Sequence, residues 1–446
     1  MDSPLWIAPR NGQDWIDQPI LDAITWFRSL IEKREWNSRM EAVQSFFEDA
    51  LPRWTQGERV PFYDERDAVF WYLHQANAFA QDRRHYFAPD GFRIAPVMHR
   101  IGQLLPHLTQ VEGVNDRIET LLKGGRKTPD AGLYEILVAG AYKSRDWSKV
   151  AFVPEQIGVS KTPDLVVSGN RRRWAVECKR VNQSGYEKQE RACAEALASP
   201  VHELARRLGR RLIVDVKYLR ELRDYPVDTL LRHVERYLEN PSERFVLQEG
   251  QLIAHIRDAD WRMLDAVIAH DYIFYGASRM IELIKGSYDL SFDHSFSADW
   301  TPGEHMPFHA DRVHHASIVS WQSGSKEAAT AKAVHFRSTV GRAVPQLTLD
   351  CPSVVHVGYE ALSGSSEDER RHVLNEMQTR KFRAEGSRLR YVYANYLRPE
   401  HANARMESWA VSETTAYYPI GKHRTPQPLP HHLLLEDGDG TPGNHW

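Results

Sequence analysis

Two carboxylates and an ammonium stand where a pair of short strands would bring them together. Asp164, preceded by Pro163, opens the apolar run Leu165-Val166-Val167. Gly169-Asn170 supplies turn chemistry, and the chain returns as Arg173-Trp174-Ala175-Val176-Glu177-Cys178-Lys179. Side chains alternate across a strand, which sets Ala175, Glu177 and Lys179 on one face and Trp174, Val176 and Cys178 on the other. Twelve residues separate Asp164 from Glu177, enough for two strands and a tight turn, so pairing the strands brings the acids together with Lys179 beside them. Such a group suits a hard divalent cation, since Mg²⁺ is held by one or two carboxylates, keeps several waters and takes phosphate oxygens. The matching chemistry is in-line attack of an acidified water on phosphorus, with the lysine orienting that water or stabilising the pentavalent phosphorane. A plain surface hairpin carrying one Glu–Lys pair is the alternative account of the same residues.

The elements that would position these groups can also be read from the chain. A helix is predicted over Leu133–Tyr142, with Leu133, Ile136, Leu137, Gly140 and Ala141 on one stripe. Glu135 lies about 200° from Leu133 at roughly 100° per residue, off that stripe. It is expected in solvent unless that side of the helix rests on the sheet near the acids. Strands are predicted at Val150–Val153, Asp164–Val167 and Trp174–Lys179, followed by a long helix over Tyr186–Leu208 and a strand at Leu212–Tyr218.

This arrangement resembles the PD-(D/E)xK nuclease superfamily, the fold of many restriction and repair nucleases. The residues that carry the resemblance are Glu135 on the leading helix, Pro163-Asp164 at a strand start and Glu177-Cys178-Lys179 at the end of the next, within about residues 130–220. It implies an α/β chain with a restriction-endonuclease-like core, a mixed central sheet flanked by helices, completed by the Tyr186–Leu208 helix and the Leu212–Tyr218 strand. It also implies Asp164 and Glu177 as metal ligands, Lys179 as the catalytic lysine and Glu135 as an auxiliary acid of the metal site. Some branches use a glutamine in the next helix, a place Gln189 would fill. The implied cofactor is Mg²⁺, with Mn²⁺ as a substitute, and the implied reaction is phosphodiester hydrolysis, with DNA preferred and restriction or phage defence as the setting. Two other readings stay open: a silent nuclease fold that binds nucleic acid or acts as a scaffold, and an effector nuclease gated by a protein partner or ligand.

Around this core the chain divides by composition. Residues 1–125 read as a mostly helical, Trp-rich domain in which Pro52 closes a segment, and 126–220 as the nuclease core. Residues 221–420 read as a C-terminal α/β region with a loop-rich insertion near 286–324, and 421–446 as a Pro-, His- and Gly-rich flexible tail. The flanking regions would shape substrate access, target choice or the contacts of a homodimer.

At 446 residues with 42% apolar composition the chain is long enough for two or three packed domains. Its net charge of −3 excludes a uniformly basic coat, but the charge is uneven. Residues 171–220 hold 13 Lys and Arg against 6 Asp and Glu. Arg171, Arg172 and Arg173 are expected in the hairpin turn beside the acids, and these three with Arg180 are the candidate contacts to nucleic-acid phosphates. Arg206, Arg207, Arg210 and Arg211 fall at a helix end, where basic residues also complement the helix dipole. Cys178, Cys193 and Cys351 are too scattered for a disulfide framework or a four-thiolate zinc site, and Cys178 is expected as a buried, inert thiol. No signal-like segment opens the chain and no apolar run approaches the roughly 20 residues that span a bilayer. The expectation is a soluble, cytoplasmic protein without membrane contact.

Overall fold

The computed structural model describes residues 16–445, apart from 57, 59, 82–84, 125–127, 146, 155–161, 182–184, 241–244, 250, 271–272, 290, 305, 361–364, 385, 400–410, 431–433 and 436–442. The first 15 residues, with Trp6 and Trp15, and the expected boundary at 125/126 therefore lie outside the described residues. Among the described residues six α-helices come first: α1 (Gln18–Ser29), α2 (Lys33–Thr55), α3 (Ala68–Gln81), α4 (Ala88–Leu108), α5 (Val114–Lys123) and α6 (Pro129–Lys143). Then follow β1 (Lys149–Phe152), β2 (Leu165–Gly169), β3 (Arg172–Val181), α7 (Gly185–Arg207), β4 (Leu212–Tyr218), α8 (Thr229–Glu239), β5 (Phe245–Glu249) and β6 (Leu252–Asp258). Next are α9 (Arg262–Ile268), β7 (Ile273–Phe274), α10 (Ser278–Lys285), β8 (Asp293–Gly303), β9 (Met306–Ser323) and α11 (Lys326–Ala343). The chain closes with β10 (Ser353–Glu360), α12 (Ser365–Arg380), β11 (Leu389–Pro399), β12 (Val411–Pro419) and β13 (Gly443–His445). It is a mixed α/β protein: a helical N-terminal region, then two mixed sheets with interspersed helices.

Capping and spacing account for α1. The Asp17 side chain accepts the Ile20 N–H at the start of α1, and Ile20, Ala23 and Phe27 form its buried stripe. Pro52 does not close a segment but sits inside α2, near its end. α6 is buried from Leu133 to Tyr142 because it is wedged between α4 and the first sheet. One apolar cluster therefore runs from Phe27 and Trp71 through Leu137 to Trp174 and Tyr393.

The first sheet has strand order β1-β2-β3-β10-β11-β12-β13. β3 pairs in parallel with β10, and β10 in parallel with β11. This corrects the expectation that Leu212–Tyr218 completes the core: β4 lies instead in a second sheet, between β6 and β9. A buried apolar strand fits either edge, and its neighbour is decided by packing far along the chain rather than by its own residues. In the second sheet α7 and α8 cover one face, and α9 and α10 the other.

Two further expectations change. The stretch 286–324 is not loop-rich, because most of it is the long β8–β9 hairpin. Several of its polar residues have buried partners: His202 bridges Ser317 and Ser295, while Ser320 meets Lys285 and His294. The flexible tail is contradicted where it is described, since Leu429, Leu434 and Leu435 are buried in the cluster shared with the helical region. Trp147 Nε1 donates to the Pro428 carbonyl (3.0 Å), and the Leu434 and Leu435 N–H groups donate to the buried Glu413 carboxylate (2.7–3.0 Å). Among the described residues no helix is long and apolar enough to cross a membrane.

Two stability predictions arise here. A Cβ at Gly358, on β10, would come within 2.4 Å of the Tyr134 ring, whose hydroxyl is held by Asn395 (2.9 Å). Gly358→Ala therefore displaces α6 from the sheet and costs about 2 kcal/mol in denaturant unfolding. The second concerns His202, which burial holds down at about pKa 4. Ser295 gives its proton to Glu195, so His202 donates from Nε2 to Ser295 and accepts at Nδ1 from Ser317, a pattern that satisfies the neutral ring. The folded state favours the neutral form, so its contribution is complete above about pH 6.5 and is lost as pH falls from there toward 4. The loss is about 3 kcal/mol. Urea unfolding of wild type and His202→Gln at pH 7 and pH 4.5 checks this, with wild type showing the steeper decline.

Candidate active site

The β2–β3 hairpin turns tightly, with Leu165 opposite Val176 and Gly169 opposite Arg172. The two turn residues, Asn170 and Arg171, both have positive φ (49° and 61°), the conformation that suits the right-handed twist of paired strands. At the open end of the hairpin Asp164 lies beside Glu177. Asp164 Oδ2 accepts the Cys178 N–H at 2.7 Å, and the Asp164 main-chain carbonyl accepts the Val153 N–H at 3.0 Å, so the residue is held through its backbone and its carboxylate through one backbone N–H. Glu177 is fully buried, and Lys179, two residues on and on the same face, donates from Nζ to Glu177 Oε1.

Glu135 joins them from α6. Off the apolar stripe it has no solvent to enter, because that side of the helix is also covered; it is buried, and Arg117 Nε donates to its Oε2 at 2.6 Å. Burial pushes the Glu135 carboxyl up to about 7, the Asp164 charge adds to this, and Arg117 and Lys179 oppose it. Burial likewise pushes Glu177 up to about 8, again with Asp164 adding and Lys179 opposing. Asp164 is raised by burial, opposed chiefly by the Cys178 N–H. The structure thus brings Glu135, Asp164, Glu177, Lys179 and Arg117 into one electrostatic cluster, three carboxylates against two cations.

The donor set fits a divalent cation by one observation. Apart from the neighbouring Asp164 carboxyl, Glu177 Oε2 is buried with no hydrogen-bond partner among the described residues. A buried acceptor left this way is costly unless something positive meets it. Among the described residues no three His, Cys, Asp or Glu side chains stand ready to enclose an ion unaided. Asp164 and Glu177 with waters are the smaller set usual for Mg²⁺.

The other expected residues lie elsewhere. Arg171, Arg172 and Arg173 are exposed at the turn, and a turn of two residues puts them at the far end of the hairpin from the acids. The five residues of β2 at about 3.3 Å each put Arg171 roughly 17 Å from the acids, and Arg173, four residues before Glu177 on β3, roughly 13 Å away, so they are not beside the site. Arg172 stacks over Trp147 (5.3 Å). Arg180 is half-buried on the Cys178 face and donates to the Val181 carbonyl; it lines a small internal space with Tyr72, Arg93, Asp130 and Tyr134. Gln189 is exposed on α7, in a groove with Tyr186, Cys193 and Arg223 that shares no residue with the acidic cluster. Cys178 is buried, and burial pushes its thiol well up, which leaves it inert. Arg117 is the residue that sequence reasoning missed. Its only local signal is a polar position next to Ile118 on an amphipathic helix, which nothing distinguishes from an ordinary surface arginine.

Comparison of the chain with protein-family models, with curated proteins and with solved structures finds no match. Its chemistry is read from its own residues.

Proposed function

We propose that this chain is a Mg²⁺-dependent nuclease, with Mn²⁺ as a substitute, that hydrolyses phosphodiester bonds in DNA on a restriction-endonuclease-like core. The observation that carries the reading is the Asp164–Glu177 pair, with Glu177 fully buried, Lys179 on its Oε1 and its Oε2 without a hydrogen-bond partner among the described residues apart from the Asp164 carboxyl. The order of elements also supports it. A leading helix with Glu135, the antiparallel strands β1, β2 and β3 with the acids, and then a parallel neighbour follow the arrangement the resemblance implies. β10 takes the place expected for β4, and the second sheet is an insertion between β3 and β10. A role in restriction or phage defence follows from the resemblance.

Asp164 and Glu177 would hold the cation, with Glu135 behind them. When bound, the cation neutralises charge at the phosphate and makes a water more acidic. The chain's own residues do the rest. The Cys178 N–H and Lys179 fix the two carboxylates, and the Lys179 ammonium, partly exposed, would be at hand to stabilise negative charge developing on phosphorus. With all groups ionised, three carboxylates and two cations leave the cluster at −1; a divalent cation makes it +1, which matches one phosphodiester.

The test is digestion of plasmid, single-stranded DNA and RNA with Mg²⁺ or Mn²⁺ by wild type, Asp164→Ala and Glu177→Ala, with Mn²⁺ binding measured by calorimetry on the same samples. Cleavage by wild type alone is the expected result. Mn²⁺ binding without cleavage identifies a nuclease gated by a partner or ligand. Neither cleavage nor binding overturns the reading.

A further inference from the structure

The guanidinium of Arg117 comes from a helix of the N-terminal region, yet it lies on an acid of the proposed metal centre. We propose that Arg117 is a positioning residue of that centre, holding the Glu135 carboxylate in place beside Asp164. The proposal rests on the nuclease reading above.

Three observations carry it. The first is how α5 is anchored. Gly113 at its start has φ +75°, and the preceding Glu112 donates its N–H to the Val150 carbonyl (3.0 Å) and accepts the Phe152 N–H (2.9 Å). The entry to α5 is thus hydrogen-bonded to β1, which pairs with the strand that follows Asp164. With Val114, Ile118, Leu121 and Leu122 buried, the helix can neither roll nor slide without breaking these contacts.

The second is the grip on Glu135. Arg117 donates from Nε (2.6 Å), and its Nη2 also reaches the same Oε2, a two-pronged hold that a planar guanidinium makes well and an ammonium does not. Glu135 is 6% exposed, so without this partner its charge would be buried alone. The third is where the pair sits. A bridge serving only to tie α5 to α6 has no need of other charges nearby, but Arg117 acts electrostatically on Asp164 as well as on Glu135, and Lys179 acts on both acids. Groups that orient metal-site acids from outside commonly govern affinity by about 10- to 100-fold.

The test is Mn²⁺ titration of the full chain by calorimetry, for wild type, Asp164→Asn, Arg117→Gln, Arg117→Lys, Glu135→Gln and the Arg117→Gln/Glu135→Gln double variant. Metal-free thermal unfolding monitors the fold. Arg117→Gln is expected to raise the Mn²⁺ Kd about tenfold, with Arg117→Lys between it and wild type. The double variant should match Glu135→Gln alone, because Arg117 acts through that carboxylate. If Arg117→Gln unfolds, the position of Arg117→Lys relative to wild type carries the same decision. An unchanged or tighter Kd on losing Arg117 would mean that the guanidinium is only a competing charge, and additive effects in the double variant would mean that it does not act through Glu135; either overturns the proposal. A wild type that binds no Mn²⁺ removes the nuclease reading along with it. Mn²⁺ binding lost in Asp164→Asn but untouched in both Arg117 variants removes this proposal alone.

Discussion

Asp164→Asn abolishes metal-dependent cleavage while leaving the metal-free protein at least as stable as wild type. The asparagine keeps the shape, and its oxygen still accepts the Cys178 N–H. What it loses is the charge that, with Glu177, is proposed to hold the cation. The expected fall in cleavage rate is at least about 10³-fold, or about 4 kcal/mol of transition-state stabilisation. Stability moves the other way because Asp164 is the charge that adds to the burial effect on both Glu135 and Glu177. Relieving that repulsion gains up to about 1 kcal/mol in the absence of metal, the behaviour of a site kept for function at the expense of stability. Paired assays of cleavage and chemical unfolding check this. Lost activity together with a destabilised fold would instead mark Asp164 as a structural residue.

Lys179→Met separates binding from turnover. Methionine retains the length and apolar stem of the side chain but removes the ammonium that lies on Glu177 Oε1. Cleavage is expected to fall about 10²- to 10³-fold, the usual consequence of losing one preorganised donor at a developing charge. Mn²⁺ affinity should hold or tighten slightly, since a cation competing for Glu177 is gone. Calorimetry with Mn²⁺ beside single-turnover cleavage shows the split. Equal losses in both would mean that Lys179 serves only to hold the acids.

The centre of the site was legible in the sequence because it rests on local rules. Strand alternation set Glu177 and Lys179 on one face, and the tight turn at Asn170-Arg171 set Asp164 opposite Glu177. The same rule, carried one step further, puts Arg171–Arg173 at the distant end of the hairpin. Placing them beside the acids confused nearness in sequence with nearness in space.

What was not legible depends on long-range packing. Glu135 could be assigned a helix but not a depth, because α6 is covered by α4 on one side and by the first sheet on the other, and that packing is not written in its own residues. Arg117 reaches the site only through the clamp between Glu112 and β1. No residue of β4 or β10 announces which of them pairs with β3. The histidines and serines of β8 and β9 look like loop composition until His202 and Lys285 appear as their buried partners. Likewise Leu434 and Leu435 are held by Glu413, a carboxylate on β12.

The central claim is that Asp164 and Glu177 hold a divalent cation, and anomalous scattering from crystals soaked in Mn²⁺ tests it most directly. The account predicts a peak about 2.1 Å from a carboxylate oxygen of each residue, present in wild type and absent in Asp164→Asn. Saturating Mn²⁺ that leaves no peak between these two acids, or a peak that persists unchanged in the variant, would contradict it.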